Sequence, residues 1–277
     1  MLAYLFPGQG SQTYGMGKDL FAQFPKIMKE ADAILGYSLE ELCLTQDSRL
    51  NQTQFTQPAL FTVNALSYFK KLQDSEKPDY VAGHSLGEYN ALLAAEVFDY
   101  ATGLQLVKKR GELMNQEMNG AMSAVIGFKI AEIENFLTEF SSVAIANHNT
   151  YLQSVISGSD ENIKLATAAL AKNNITVIPL KVSGAFHSPL MQPAAEKFTD
   201  YLQQFTFNIP KLPVIANVNA EPYHPRVIKT NLANQISHSV RWVYTIETLL
   251  QNENITFEEI GPGKVLTGLL KRIQLNQ

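Results

Sequence analysis

The sequence predicts an α/β fold: a large domain built on a parallel sheet, with a small β-α-β-β-α-β domain set into it. Three features predict this. The strand-length apolar runs at Ala3 to Phe6 and Tyr80 to Gly83 each pass into a glycine-bearing turn and then into helical patterning, the alternation that builds parallel sheets. Between about Met122 and Ser183 the texture changes. "MSAVIGF" is strand-like, "KIAEIENFLTEF" helical, "SVAIANHN" and "QSVISGS" strand-like, "DENIKLATAALAKNN" helical and "ITVIPLKVS" strand-like, the order of a split βαβ or ferredoxin-like unit. Strand and helix then alternate again, from "LPVIANV" through helices around Val227 to Asn252 and the strand "TFEEIG" to a last helix from Lys264. The boundaries drawn are 1–121 with 185–277 for the large domain and 122–184 for the small one.

Within the first part, the apolar run Ala3 to Phe6 closes on the loop Pro7-Gly8-Gln9-Gly10, and polar helices follow to about Cys43. "TQPALFTVNALSYFKKL" (Thr56 to Leu72) has helical periodicity with Pro58 in its first turn, where proline is tolerated. Leu86 to Val97 reads as an amphipathic helix. Asp99 can cap the next one, which runs to about Met118.

The 277 residues, 45% apolar and 17% charged, suit a large domain with a small insert and a good core. A net charge of −4 without any basic block gives no case for nucleic acid or an anionic membrane surface. No apolar run approaches the roughly 20 residues of a membrane span, and the start "MLAYLFPGQGSQ" reads as a strand and loop rather than a signal peptide. Cys43 is the sole cysteine and metal-ligand spacing is absent, so no metal and a cytoplasmic setting are expected.

Gly83-His84-Ser85-Leu86-Gly87 is a G-x-S-x-G pentapeptide between strand and helix, the context of the nucleophile in an α/β-hydrolase-like fold. Such a turn lifts Ser85 clear of the sheet and puts the Leu86 N–H at a helix start, ready for an oxyanion. His84 points away from its neighbour and reads as packing. The Gly8-Gln9-Gly10 loop fails as a dinucleotide fingerprint, because Thr13 stands where the third glycine belongs. It is either a second oxyanion donor, through the Gln9 N–H, or an ordinary turn.

Arg110 falls in the middle of the apolar stripe Leu106, Val107, Leu113 and Met114. A guanidinium there needs a partner to offset desolvation. That partner is either an internal carboxylate or the carboxylate of a substrate, held by paired hydrogen bonds. Among the five histidines, His224 and His238 sit in polar surroundings, whereas His187 lies in "VSGAFHSPLMQPA", where the chain leaves the small domain. His187 leads as the base. No acid is placed to orient it, which leaves a backbone carbonyl for that task.

Together "FPGQGSQ", "TQPAL", "AGHSLGEY", "LVKKRGELM", "GAFHS", "VRW" and "GPGKVLTGL" resemble the malonyl-CoA:acyl carrier protein transacylases over nearly the whole chain. The resemblance implies Ser85 as the acylated nucleophile, His187 as its base, Gln9 and Leu86 as oxyanion donors, and Arg110 as the grip on a malonyl carboxylate. It implies that the backbone carbonyl of Gln235 orients the histidine, and that Asn147 and Asn149 line the cleft. "GAFH" is similar to the "HAFH" of malonyl-selective relatives, so Phe186 narrows the pocket, while Gly184 in place of the first histidine widens it locally. Implied partners are malonyl-CoA and an acyl carrier protein, free or within a polyketide synthase. No cofactor is implied, since malonyl-CoA is a substrate and the phosphopantetheine belongs to the carrier. The subtype resembled is the stand-alone, trans-acting acyltransferase of modular polyketide synthases. Fatty acid synthesis, an acyl hydrolase of the same fold and a non-catalytic binding module are the other readings.

Overall fold

The computed structural model describes residues 1–74, 77–182 and 184–276. The chain opens with β1 (Leu2–Phe6), followed by α1 (Lys18–Phe21), α2 (Pro25–Leu35), α3 (Leu39–Leu44) and α4 (Thr53–Asp74). Next come β2 (Tyr80–Gly83), α5 (Gly87–Ala94) and α6 (Tyr100–Gln116). The small sheet is built from β3 (Ala121–Ile126), α7 (Ile130–Leu137), β4 (Val143–Thr150), β5 (Gln153–Gly158), α8 (Asp160–Lys172) and β6 (Thr176–Pro179). The chain returns through α9 (Gln192–Leu202), β7 (Val214–Ile215), α10 (Ile228–Ser237), α11 (Trp242–Leu250), β8 (Thr256–Glu259) and α12 (Val265–Leu275).

Four strands in the order β7-β2-β1-β8 form an all-parallel sheet. Both of its faces are covered, so β1 is apolar throughout. Tyr4 and Phe6 point into the core under α4, α5 and α6, while Ala3 and Leu5 join Trp242, Val243 and Leu266 on the opposite face. The second sheet is antiparallel in the order β4-β5-β3-β6, the arrangement of two interlocked split βαβ units. Its helices cover a separate core of Val125, Ile133, Ile156 and Leu170.

Several boundaries differ from expectation for local reasons. Helix α4 starts at Thr53, which puts Pro58 in its second turn. The early start is held from outside: Thr56 Oγ1 donates to Leu50 O (2.6 Å) and Thr53 Oγ1 to Gln9 Oε1 (2.6 Å). Helix α5 stops at Ala94, and the expected amphipathic face is absent: all eight residues are buried, Glu88 and Asn90 included. The expected strand "LPVIANV" pairs only at Val214–Ile215, because Pro213 has no N–H and the Ala216 N–H turns to Glu221 O (2.9 Å). Ser183, the end of the strand expected at "ITVIPLKVS", lies outside the described residues.

Gly87 is required by close approach. A Cβ there would stand 2.0 Å from Phe6 O, so the end of β1 and the start of α5 touch through backbone. Gly87→Ala is expected to cost about 3 kcal/mol or more. Gly268→Ala, in exposed α12 with open space around it, is expected to gain about 0.5–1 kcal/mol. Thermal melts of the two variants check both signs.

Candidate active site

The site lies where ligands sit in open α/β sheets, outside the carboxyl ends of the central strands, and it is roofed by the small domain. Strand β1 delivers the loop that carries Gln9, and β2 delivers the tight turn that carries Ser85. Ser85 has φ +52° and His187 φ +58°. Left-handed backbone at non-glycine residues is strained and persists only where the surroundings impose it. The Ser85 turn is imposed by Asn217, whose Oδ1 accepts from Ser85 N–H (2.8 Å) while its Nδ2 donates to Gly83 O (2.7 Å).

Ser85 Oγ is 2.7 Å from His187 Nε2, and His187 Nδ1 is 2.7 Å from the backbone oxygen of Gln235. The carbonyl accepts a hydrogen bond from Nδ1–H, which leaves the Nε2 lone pair to the serine hydroxyl. Among the described residues no carboxylate contacts the His187 ring. Burial, and then the nearby Arg110 charge, push His187 down to about 3, so the imidazole is neutral and able to accept a proton at neutral pH. A Cβ on Gly8 would stand 2.3 Å from His84 O and 3.6 Å from Leu86 N, so the Gln9 loop is pressed against the serine turn. Among the described residues, no acceptor within the protein takes the Gln9 or Leu86 N–H.

Arg110 reaches the same point from α6. It is 1% exposed, with its guanidinium 5.7 Å from the Tyr89 ring centre. Nη1 donates to Gln57 Oε1 (2.7 Å), and Nη2 donates to Gln235 Oε1 (2.9 Å) and Ser85 Oγ (3.2 Å). All of these partners are neutral oxygens. Among the described residues no carboxylate lies within ion-pair distance of Arg110. Of the two partners left open by the sequence, an internal carboxylate is therefore not in direct contact. A buried cation served only by neutral dipoles is suited to an incoming anion.

The cavity over these groups has a volume of about 100 Å³, with Gln9, Gln57 and Asn147 as polar wall and Met114, Met122, Leu180, Val182 and Phe186 as apolar wall. That is room for a short acyl group. Phe186 narrows it. Gly184 does not widen it: the place its Cβ would take holds the Phe186 ring (2.8 Å) and the Met191 methyl (3.3 Å). Asn147 lines the cavity, but Asn149 is engaged by His84 Nε2 (2.9 Å), whose ring packs on Trp242 at 5.4 Å. His224 and His238 are exposed.

The small domain is fixed over the site by β4, whose register with β5 shifts between Ile145 and Asn147. The irregularity frees Ala146 O to accept from Val240 N–H (2.8 Å), while His148 N–H donates to Val240 O (2.9 Å). Bulges of this kind re-aim side chains beside active sites, and here Asn147 is the one brought to the cleft.

Three polar residues of the site went unnamed in the sequence reading. Gln57 stands inside "TQPAL", Asn217 at the end of a predicted strand, and Glu88 inside "AGHSLGEY". The only available signal was Glu88, a carboxylate on a helix with no other charge.

Burial also makes a prediction about stability. His84, His148 (to about 4) and His187 (to about 3) are all held below their ordinary range, mainly by desolvation. As pH falls below 6.5 the unfolded chain takes up protons at His148 and His187 that the folded protein refuses, so stability is lost, and His84 acts in the same direction. Glu88, raised to about 7 by burial, works in the opposite sense, because the folded form holds its proton first. With Glu88 opposing His148 and His187, stability is expected to fall by roughly 1 kcal/mol per pH unit or more between about pH 6 and 5. Urea midpoints at pH 7, 6 and 5 test this, and unchanged midpoints contradict it.

A strained serine on a strand-to-helix turn, a carbonyl-oriented histidine and two free N–H groups define a serine acyl-transfer enzyme. Residues 3–274 match the family model described as acyl transferase domain, and the chain belongs to that family. It is 53% identical over 280 residues to the polyketide biosynthesis malonyl CoA-acyl carrier protein transacylase PksC of Bacillus subtilis, covering 99% of this chain and 97% of the relative. The crystal structure of malonyl CoA-acyl carrier protein transacylase from Burkholderia pseudomallei superposes with a TM-score of 0.97 at 46% identity, over 100% and 99% of the two chains. A malonyl-transacylase in complex with a type II PKS acyl-carrier protein matches at TM-score 0.93 and 37% identity, over 98% and 92%.

Proposed function

We propose that this protein transfers malonyl groups from malonyl-CoA, through a seryl ester on Ser85, to the phosphopantetheine thiol of an acyl carrier protein in polyketide assembly. The observation that carries this reading is Arg110, a buried guanidinium with only neutral partners, 3.2 Å from the nucleophile.

In the first half-reaction His187 Nε2 takes the Ser85 proton as Oγ attacks the thioester carbonyl. The Gln9 and Leu86 N–H groups receive the oxyanion, and Gln235 O steadies the imidazolium through Nδ1. The C–S bond breaks, the CoA sulfur leaves with the proton from His187, and malonyl-Ser85 remains. In the second half-reaction His187 takes the carrier thiol's proton, the sulfur attacks the ester, and Oγ leaves and is reprotonated. Arg110 holds the malonyl carboxylate with paired hydrogen bonds, so the acyl group lies one way round in a short cavity. Phe186, on the apolar wall, would narrow the space open to an α-methyl group. The steps use only the chain's own groups. A reducing cytoplasm suits Cys43, a buried free thiol pushed up to about 12 by its burial.

The test gives the protein labelled malonyl-CoA with and without a phosphopantetheinylated carrier protein. Label on the carrier supports transfer. Free malonate with an unloaded carrier means a hydrolase, and no label on protein or carrier means a binding module.

A further inference from the structure

Arg110 is buried without a carboxylate beside it, and the nearest structural answer stands one residue away. Glu88, the second residue of α5, is 1% exposed. Its Oε1 accepts from Asn217 N–H (3.0 Å), and its Oε2 accepts from Gln235 Nε2. The Gln235 amide is thus held between opposite charges: its oxygen takes a hydrogen bond from Arg110 and its nitrogen gives one to Glu88. An amide in that position carries the Glu88 charge toward Arg110 without a direct ion pair.

The two side-chain hydrogen bonds of Glu88 to Asn217 and Gln235 reach the reacting groups in one further step. Gln235 supplies the carbonyl for His187 Nδ1, and its Nε2 also donates to Ser85 O (2.9 Å). Asn217 holds the Ser85 turn through Ser85 N–H and Gly83 O. A neutral carboxamide at position 88 offers one acceptor oxygen to two donors, and its NH₂ would face the other. The groups facing Glu88 are Arg110 from α6, Tyr223 from the segment after β7 and Tyr89 from its own helix. His187 lies beyond Gln235.

We propose that ionised Glu88 is a positioning residue of the acyl-transfer site: it balances the Arg110 charge through the Gln235 amide and fixes Gln235 and Asn217, and through them His187 and the Ser85 turn. This rests on the malonyl-transfer reading. Burial places Glu88 at about 7, so its ionised fraction changes near neutrality, while the His187 base is already neutral there.

The test is the rate of Ser85 acylation in a single turnover, read by intact mass against pH. The substrate is malonyl-N-acetylcysteamine, which carries no phosphate to titrate. Wild type is expected to show a rate that rises with pH through an apparent pKa near 7. Glu88→Gln is expected to lose about 10- to 100-fold, the worth of one charge-assisted hydrogen bond, and to lose that limb. Glu88→Asp is expected to keep the limb at a reduced rate. A wild-type rate flat between pH 6 and 8 overturns the proposal whether or not the variants fold. So does a folded Glu88→Gln protein that keeps either the limb or the wild-type rate. Failure of the underlying reading looks different: wild type forms no malonyl adduct at any pH.

Discussion

Replacing Ser85 by alanine is expected to abolish the malonyl adduct and to lower transfer by roughly 10⁶-fold, the cost of removing a nucleophile that works as a unit with its base. Intact-mass measurement after brief exposure to malonyl-CoA checks it, and an adduct that survives on the variant would place the nucleophile elsewhere. Ser85 also carries a conformational cost. At φ +52° the side chain strains the turn by about 1 kcal/mol or more, and Asn217, Gln235 and the neighbouring backbone hold it. Ser85→Gly is therefore expected to be equally inactive and more stable by about 1 kcal/mol, visible as a higher melting temperature. A loss of stability would mean that the Ser85–His187 hydrogen bond outweighs the strain.

Arg110→Ala is the second large effect, and it alters preference as well as rate. The guanidinium–carboxylate contact in a desolvated pocket is worth about 2–5 kcal/mol, so malonyl transfer is expected to drop about 30- to 5,000-fold. Acetyl-CoA has no carboxylate to lose, so its rate should fall far less and the malonyl-to-acetyl ratio should collapse. The variant also leaves Gln57 Oε1 and Gln235 Oε1 without their donor, which lowers both rates together. The ratio, measured by competition between the two thioesters, separates the grip from the packing. An unchanged ratio would mean that Arg110 serves the internal network alone.

Much of this site was legible before any coordinates. The G-x-S-x-G turn marks Ser85 because a serine between a strand and a helix, flanked by glycines, has few other reasons to exist. Arg110 is marked by its position on an apolar stripe. Element boundaries were read less well, as at the start of α4, where Thr53 is tied to Gln9 and Thr56 to Leu50, and at Pro213, which helps cut β7 to two residues. The widening expected at Gly184 failed for the same kind of reason. Periodicity cannot tell that a ring two residues on folds back over the missing Cβ.

The sequence by itself determined the alternation of strands and helices and the inserted antiparallel unit, and it singled out Ser85, His187 and Arg110 as candidate nucleophile, base and cation, because hydrophobic period and turn chemistry are local properties. Only the tertiary structure decided what those groups face. Gln57, Glu88, Asn217 and Gln235 come from four separate segments, and each is a polar residue whose role depends on a hydrogen bond to a group up to 150 positions away. Burial supplies the rest. The same desolvation that drives His187 down raises Glu88, and it leaves Arg110 a cation among neutral oxygens.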